Sequence, residues 1–346
     1  MARKSNKKSI RNWGCSILLI ILAVAGACGW LGWRYVTTTY NGPDVWLHIP
    51  RNSTLQAVTD SLIARLGSDT GLKVNNILTH MRRNSAIPTG TYLIHSGDKA
   101  LDIARTLQRR AQTPVKVTFN NIRTMPQLAD RISQLMDFDA ADFLAAADTI
   151  LPAAGFDRPE LYPAAFLPDT YEFYWTTPAP EVITRLLSYH NRFWDDGRIN
   201  RANALHLNPS QVATLASIVE EETNYAPERS TVARLYLNRL QRGMLLQADP
   251  TVKYAVGDFT LRRILGKHLT VDSPYNTYRY AGLPPGPIRI PSKQSIDAVL
   301  QAPDAPYLYM CAKEDFSGRH NFAVTFNEHR ANAARYQREL NRRNIK

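Results

Sequence analysis

The first hydrophobic stretch of the chain has no polar face. From Asn12 to Trp33 no residue is charged, and the centre of the run reads CSILLIILAVAGACGWLGW. A helix of about 20 residues crosses the ~30 Å hydrocarbon layer of a bilayer, so residues 13–35 are expected to form a single transmembrane helix. Trp13 at one end and Trp30, Trp33 and Tyr35 at the other fit the aromatic belts of a membrane interface. A cleaved signal peptide has a shorter apolar core of roughly 7–15 residues. Ala25-Gly26-Ala27 before Cys28 faintly resembles a lipoprotein cleavage site, but apolar residues continue through Trp33.

Beyond this run the pattern becomes amphipathic. VWLHIP (Val45–Pro50) reads as a strand, and Asn52, Ser53 and Thr54 offer caps for a helix with Leu55, Val58, Leu62 and Leu66 on one face. A second helix is expected around Val74–Arg83. IPTGTYLIHSGDKALDIARTLQRR then predicts turn, strand, turn and helix, with Leu101, Ala104 and Leu107 inward. Residues 44–114 thus make a small α+β module, two strands around two helices.

Residues 115–346 predict a larger mixed α+β domain. VKVTF (Val115–Phe119) alternates as a strand, helices are expected near Met125–Met136, Ala140–Asp148 and Pro180–Trp194, and strands near Tyr307–Cys311 and Asn321–Thr325 before a basic C-terminal helix. The proline- and aromatic-rich run LYPAAFLPDTYEFYW (Leu161–Trp175) suits a loop or strand better than a helix, and Asp272–Pro291 reads as extended chain with fixed turns.

Asn208-Pro209 supplies an N-cap and first turn for a helix to about Thr223 that ends in three consecutive acids, Glu220, Glu221 and Glu222. Val212, Leu215, Ala216, Ile218 and Val219 define its apolar face. Glu221 points nearly opposite, into solvent. Glu222 falls inside the apolar arc, and Glu220 lies on its flank beside the small Ala213 and Ser217, where a substrate has room to approach. Periodicity removes Glu221 and leaves Glu220 and Glu222 open. With Asn238, Gln247 and Asp249 downstream, such an acid suits acid–base chemistry on a neutral, hydroxyl-rich substrate such as a sugar chain.

Charge narrows the partners. The net charge is +12, but six basic residues and no acid precede Pro43, which leaves +6 for the rest with acids interspersed. That is no concentrated basic face for nucleic acid. The basic residues Arg3, Lys4, Lys7, Lys8 and Arg11 make residues 1–12 a cytoplasmic tail and place the remainder outside the inner membrane, in the periplasm. Of the three cysteines Cys311 alone lies beyond the anchor, so no disulfide forms within the exterior portion. Glu328-His329 and His320 lack the spacing of a zinc site. No metal and no cofactor is expected.

Six ordered strings carry a family resemblance: ASIVEEET, ER…VA…NRL, LQADPTV, SPYNTY, GLPPGPI and HNFAVTFNEH, preceded by PTGTYLI, PVKVTF and LPDTY. Together they are similar to the YceG-like (MltG) endolytic murein transglycosylases over roughly Val45 to Tyr336. The resemblance implies a membrane-proximal LysM-like module followed by a catalytic domain, and peptidoglycan glycan strands as substrate. It puts the catalytic acid on Glu220 and a supporting role on Glu222, with Asn238, Gln247, Asp249, Tyr275, Asn276 and Tyr278 lining the glycan groove. Where relatives carry Glu-Gly before LPDTY, this chain has Pro163-Ala164, and Glu160 is no assured substitute.

The implied reaction needs one acid, because the nucleophile belongs to the substrate. The glutamic acid protonates the oxygen between MurNAc and GlcNAc, then accepts the proton of the MurNAc C6 hydroxyl as that oxygen closes on C1, leaving a 1,6-anhydroMurNAc end. Such cleavage within nascent strands implies a terminator of polymerisation working beside peptidoglycan synthases. Two alternatives stand: a non-catalytic murein-binding scaffold of the same architecture, and a hydrolase, which needs a second carboxylate.

Overall fold

The computed structural model describes residues 6–81, 87–261 and 263–343. The chain divides into two compact units, Met1–Val115 with Glu172–Thr176, and Lys116–Tyr171 with Thr177–Lys346.

In the first unit, helix α1 (Asn6–Val36) contains a largely apolar segment, Ser16–Val36, of mean hydropathy 2.1, long enough to cross a membrane. Leu18, Leu22, Trp30 and Trp33 are all exposed, and only the end of the segment, Tyr35 and Val36, packs against the unit's core among the described residues. Strands β1 (Val45–Ile49) and β2 (Gly90–Ile94) pair antiparallel, Val45 opposite Ile94 and Ile49 opposite Gly90. Between them in sequence lie α2 (Leu55–Leu66) and α3 (Ser68–Met81), and α4 (Ala100–Gln108) follows. Thr54 caps α2 by accepting from the Ala57 N–H at 3.2 Å. Leu47, Ile49, Tyr92 and Ile94 pack with Val58, Leu62, Leu66, Val74, Leu78, Ile103 and Leu107 into one core. At Gly71 a β-carbon would sit 2.7 Å from the Leu62 carbonyl oxygen, so α2 and α3 touch backbone to backbone there. The helix expected to reach Arg83 is seen as far as Met81; Arg83 lies outside the described residues.

In the remainder, β3 (Val115–Phe119) precedes α5 (Met125–Ser133) and α6 (Ala140–Ile150), and β4 (Asp169–Phe173) pairs with β3. Between α6 and β4, Pro159–Ala165 forms a 3-10 helix rather than the expected loop or strand. Proline at its start is tolerated because the first N–H groups of a helix have no internal partner. Then come α7 (Ala179–Phe193), α8 (Asp196–Ala204), α9 (Pro209–Glu222), α10 (Arg229–Gln241), α11 (Asp249–Val256), α12 (Gly266–Leu269) and α13 (Lys293–Leu300). Strands β5 (Tyr309–Ala312) and β6 (His320–Ala323) make an antiparallel hairpin against α14 (Phe326–Arg342).

Helix α9 is the axis of this unit. Asn208 and Gln211 cap each other reciprocally at 2.9 Å, with Pro209 at the first helical position. Helices α8, α10, α11 and α13 and the 3-10 turn surround it. Every residue from Val212 to Val219 is buried. The expectation of one apolar face and one wet face therefore fails: this helix is covered all round, which periodicity cannot reveal when polar flanks find partners of their own.

Candidate active site

The three glutamates at the end of α9 occupy three different environments. Glu221, expected in solvent, is instead clamped between two arginines. It accepts from Arg289 Nη1 at 2.6 Å and from Arg123 Nη2 at 3.1 Å, and its side chain is 14% exposed. The neighbouring loops bring cations to a face the helical wheel left open.

Glu220 is equally engaged. Its Oε2 accepts from the Ser292 backbone N–H at 2.7 Å and from the Ser292 hydroxyl at 2.8 Å, and Arg289 Nη2 stands 3.3 Å from its other oxygen. The Ala213–Ser217 flank expected to admit substrate is filled by protein: both residues are buried, and the Ser217 hydroxyl accepts from the Ile288 N–H at 3.0 Å. Ile288 thus lies where a substrate was expected. Gly286 permits the same segment's close approach elsewhere, since a β-carbon there would fall 1.9 Å from the Glu160 carbonyl oxygen. Glu160 itself is exposed, and Pro163 and Ala164 are buried.

Glu222 sits differently, in the lining of a cleft of about 230 Å³. Burial pushes its carboxyl up to about 7, against the opposing effect of a 2.7 Å hydrogen bond donated by Tyr236. The nearby Asp249 charge raises it further. Solvent still reaches the residue through the cleft mouth, and the walls include Arg239, Gln247, Asp249, Tyr278 and His320. Protonated near neutrality, enclosed yet reachable, such a carboxyl suits general acid catalysis.

The cleft gathers part of the expected set. Asp249 opens α11 and accepts from the Tyr278 hydroxyl at 2.7 Å. Burial holds that hydroxyl above its usual range, so it remains a donor. Gln247 takes a left-handed backbone, φ 52°, fixed by its N–H to the Thr277 carbonyl. For a residue with a β-carbon that conformation costs roughly 1–2 kcal/mol, and here it turns the chain into the cleft beside Glu222.

The other expected groove residues have structural employment. Asn238 spends both amide hydrogens on the Ala305 and Tyr307 carbonyls, at 2.7 and 2.9 Å. Asn276 is fully buried, donates to the Leu269 and Val271 carbonyls and accepts from the Tyr278 N–H. Tyr275 packs on Tyr254 with ring centres 4.7 Å apart. Tyr236, Arg239, Arg289 and Ser292 are the site's partners that sequence reading missed. Tyr236 lies fourteen positions from Glu222 in a different helix, so no local signal joins the two. A larger cavity, about 1040 Å³, lies at the opposite end of α9 beside Asn208, Gln211, His190 and Pro284, away from all three glutamates.

The YceG-like family model matches residues 47–335. The chain belongs to the YceG-like family. Among its relatives, an endolytic murein transglycosylase of Bacillus subtilis is 41% identical over 126 residues, covering 36% of this chain and 34% of the relative. An endolytic murein transglycosylase of Streptococcus pneumoniae is 25% identical over 355 residues, covering 92% of this chain and 64% of the relative. This YceG-like chain thus spans about a third to two-thirds of those relatives' lengths. A crystal structure of a putative YceG-like protein from Listeria monocytogenes superposes with a TM-score of 0.56 at 25% identity, covering 83% of this chain and 98% of that one. The mixed α+β architecture of this YceG-like chain is therefore shared with a solved member.

Proposed function

We propose that this YceG-like chain is a membrane-anchored lytic transglycosylase that cuts the MurNAc–GlcNAc bond within peptidoglycan strands, with Glu222 rather than Glu220 as its acid–base residue. The arrangement that supports the assignment is the Glu222 carboxyl lining a cleft with Gln247, Asp249 and Tyr278, its proton affinity raised by burial. Glu220, with both oxygens already taken by Ser292 and Arg289, is the anchor that fixes the end of α9. Protonated Glu222 donates to the glycosidic oxygen, and the carboxylate so formed takes the C6 hydroxyl proton as the MurNAc C6 oxygen closes on C1, giving an anhydro end without water.

The names of the relatives support murein as substrate. The basic flank before the apolar segment of α1 supports a cytoplasmic N-terminus with the catalytic unit in the periplasm. The β1–α2–α3–β2 order supports a LysM-like module that docks glycan. A cutter held at the inner membrane works where strands are made, so peptidoglycan synthases are its candidate partners and strand termination its candidate role. Asp249 beside Glu222 favours one rival, a two-carboxylate hydrolase.

Digestion of purified murein by the full chain in detergent, read by mass spectrometry, separates these readings. Anhydro ends that disappear in Glu222→Gln and persist in a folded Glu220→Gln support the proposal. Reducing ends show a hydrolase, and a parent without products shows a binding scaffold.

A further inference from the structure

A cavity of about 690 Å³ lies where the apolar segment of α1 ends, between residues 34–42 and the turn from α2 to α3. Trp30 and Trp33 are still exposed, whereas Tyr35 and Val36 already pack against the core of the first unit. Lys73 of α3 stands over the Tyr35 ring at 5.8 Å, and Asn76 donates to the Tyr35 hydroxyl at 3.0 Å. The last turn of the apolar helix is therefore tied directly to α3, and the cavity opens beside that junction.

Its walls suit an anion. Arg34, Arg65 and Lys73 line it with one acid, Asp69, which is exposed and pairs with Lys73 at 2.8 Å. Three cations against one carboxylate leave two positive charges unbalanced. Arg65 has no hydrogen-bond or ion-pair partner among the described residues, and Arg34 rests on the ring of the interfacial Trp30 at 4.9 Å. Gly67, Asp69 and Thr70 bring the first turn of α3 to the same wall, with the positive end of its dipole. Thr70 is only 8% exposed, yet its hydroxyl has no hydrogen-bond partner among the described residues and is not sealed from solvent. A buried hydroxyl left in that state costs stability unless something enters to meet it. The Thr37 and Thr38 hydroxyls differ, being spent on the Trp33 and Arg34 carbonyls.

We propose that this cavity binds the phosphate of an anionic phospholipid headgroup from the leaflet in which α1 ends. The inference rests on the membrane-anchored reading of α1 and on no step of the glycan chemistry. Location selects a lipid over other anions. A helix that keeps its apolar side chains in hydrocarbon as far as Trp33 sets Arg34 and residues 37–42 at the depth of the headgroups. A phosphodiester there accepts from the guanidinium forks of Arg34 and Arg65, while the Thr70 hydroxyl supplies a neutral donor. A lipid bridging α1 and the α2–α3 turn fixes the first unit against the bilayer surface. Basic residues beside a membrane helix also attract anionic lipid diffusely. Thr70 separates the two cases, because it carries no charge.

The test uses the full chain in a neutral detergent, with short-chain phosphatidylglycerol as probe and phosphatidylcholine of the same chains as control, bound lipid being counted by native mass spectrometry. One phosphatidylglycerol per chain is expected, held at least about tenfold more tightly than phosphatidylcholine. Arg65→Gln is expected to weaken it about tenfold and Thr70→Val about threefold. Arg109→Gln, an equal loss of charge at an exposed position outside the cavity, is expected to change it less than about twofold. Thermal melts that overlay the parent's show the variants folded, and the near-isosteric Thr70→Val carries the test if Arg65→Gln does not fold. Equal binding of the two lipids, an unchanged Thr70→Val, or inorganic phosphate binding as tightly as phosphatidylglycerol overturns the inference. Flotation with phosphatidylcholine vesicles tests the anchor by itself. A chain that does not float removes the anchored reading and this inference with it, whereas one that floats without headgroup preference removes this inference alone.

Discussion

The pH dependence of stability isolates Glu222 from its two neighbours, and Glu222→Gln is the perturbation that reads it. Enclosure in the cleft moves its carboxyl from the ordinary 4.5 to about 7. At ~1.36 kcal/mol per pH unit that is about 3 kcal/mol, and solvent reaching into the cleft reduces it to about 2 kcal/mol. The sign follows from where the proton sits. Between about pH 4.5 and 7 the folded chain keeps a proton that the unfolded chain has released, so stability falls as pH rises through this window and levels off above it. Glutamine cannot ionise and escapes this loss. For a unit of this size about 2 kcal/mol corresponds to roughly 4–8 °C in Tm. Thermal unfolding of parent and variant by circular dichroism, compared at about pH 5 and pH 8, is therefore expected to show Glu222→Gln gaining several degrees on the parent at the higher pH only. A gap between the two proteins that does not change with pH would show that Glu222 titrates like a surface carboxyl, and the acid–base assignment built on its enclosure would fall with it.

The other glutamate gives the opposite result. Glu220→Ala strands the Ser292 N–H and part of Arg289, and about 2–4 kcal/mol of stability should disappear at neutral pH in the same melting experiment. Tyr236→Phe removes the hydrogen bond that lowers the Glu222 carboxyl, so the alkaline limb of the activity profile should move to higher pH. An unmoved limb would mean another group sets it. Gly286→Ala drives a methyl group into the Glu160 carbonyl and should destabilise by more than about 1 kcal/mol, measured as a fall in Tm. Gly71→Ala should do the same for the first unit by prying α2 from α3.

Local signals carried the reading of the elements. The run without charge from Asn12 to Trp33 became part of α1, and Val45–Ile49 and Gly90–Ile94 became paired strands around two helices. The Asn208-Pro209 start of α9 was legible because the cap and its Gln211 partner lie within one turn. The short helices α8 and α13 open on caps just as local, Asp195 and Ser292, which the sequence reading passed over. Of the Leu161–Trp175 run, read as loop or strand, Asp169–Phe173 is a strand, whereas residues 161–165 belong to a 3-10 helix, which proline and aromatic residues hide as readily as they mark a loop.

Sequence alone thus determined the apolar N-terminal helix, the α+β class, and the fact that one of three adjacent acids is the residue to ask about. It also brought forward Gln247, Asp249 and Tyr278, which the fold gathers beside Glu222. Tertiary structure decided what each acid meets. The partners of Glu221 lie 68 and 98 residues away in Arg289 and Arg123, and Ser292 is 72 from Glu220. No helical wheel contains them. A side chain's position on its helix is a local property, but its protonation and its freedom are set by whatever the rest of the chain packs against it.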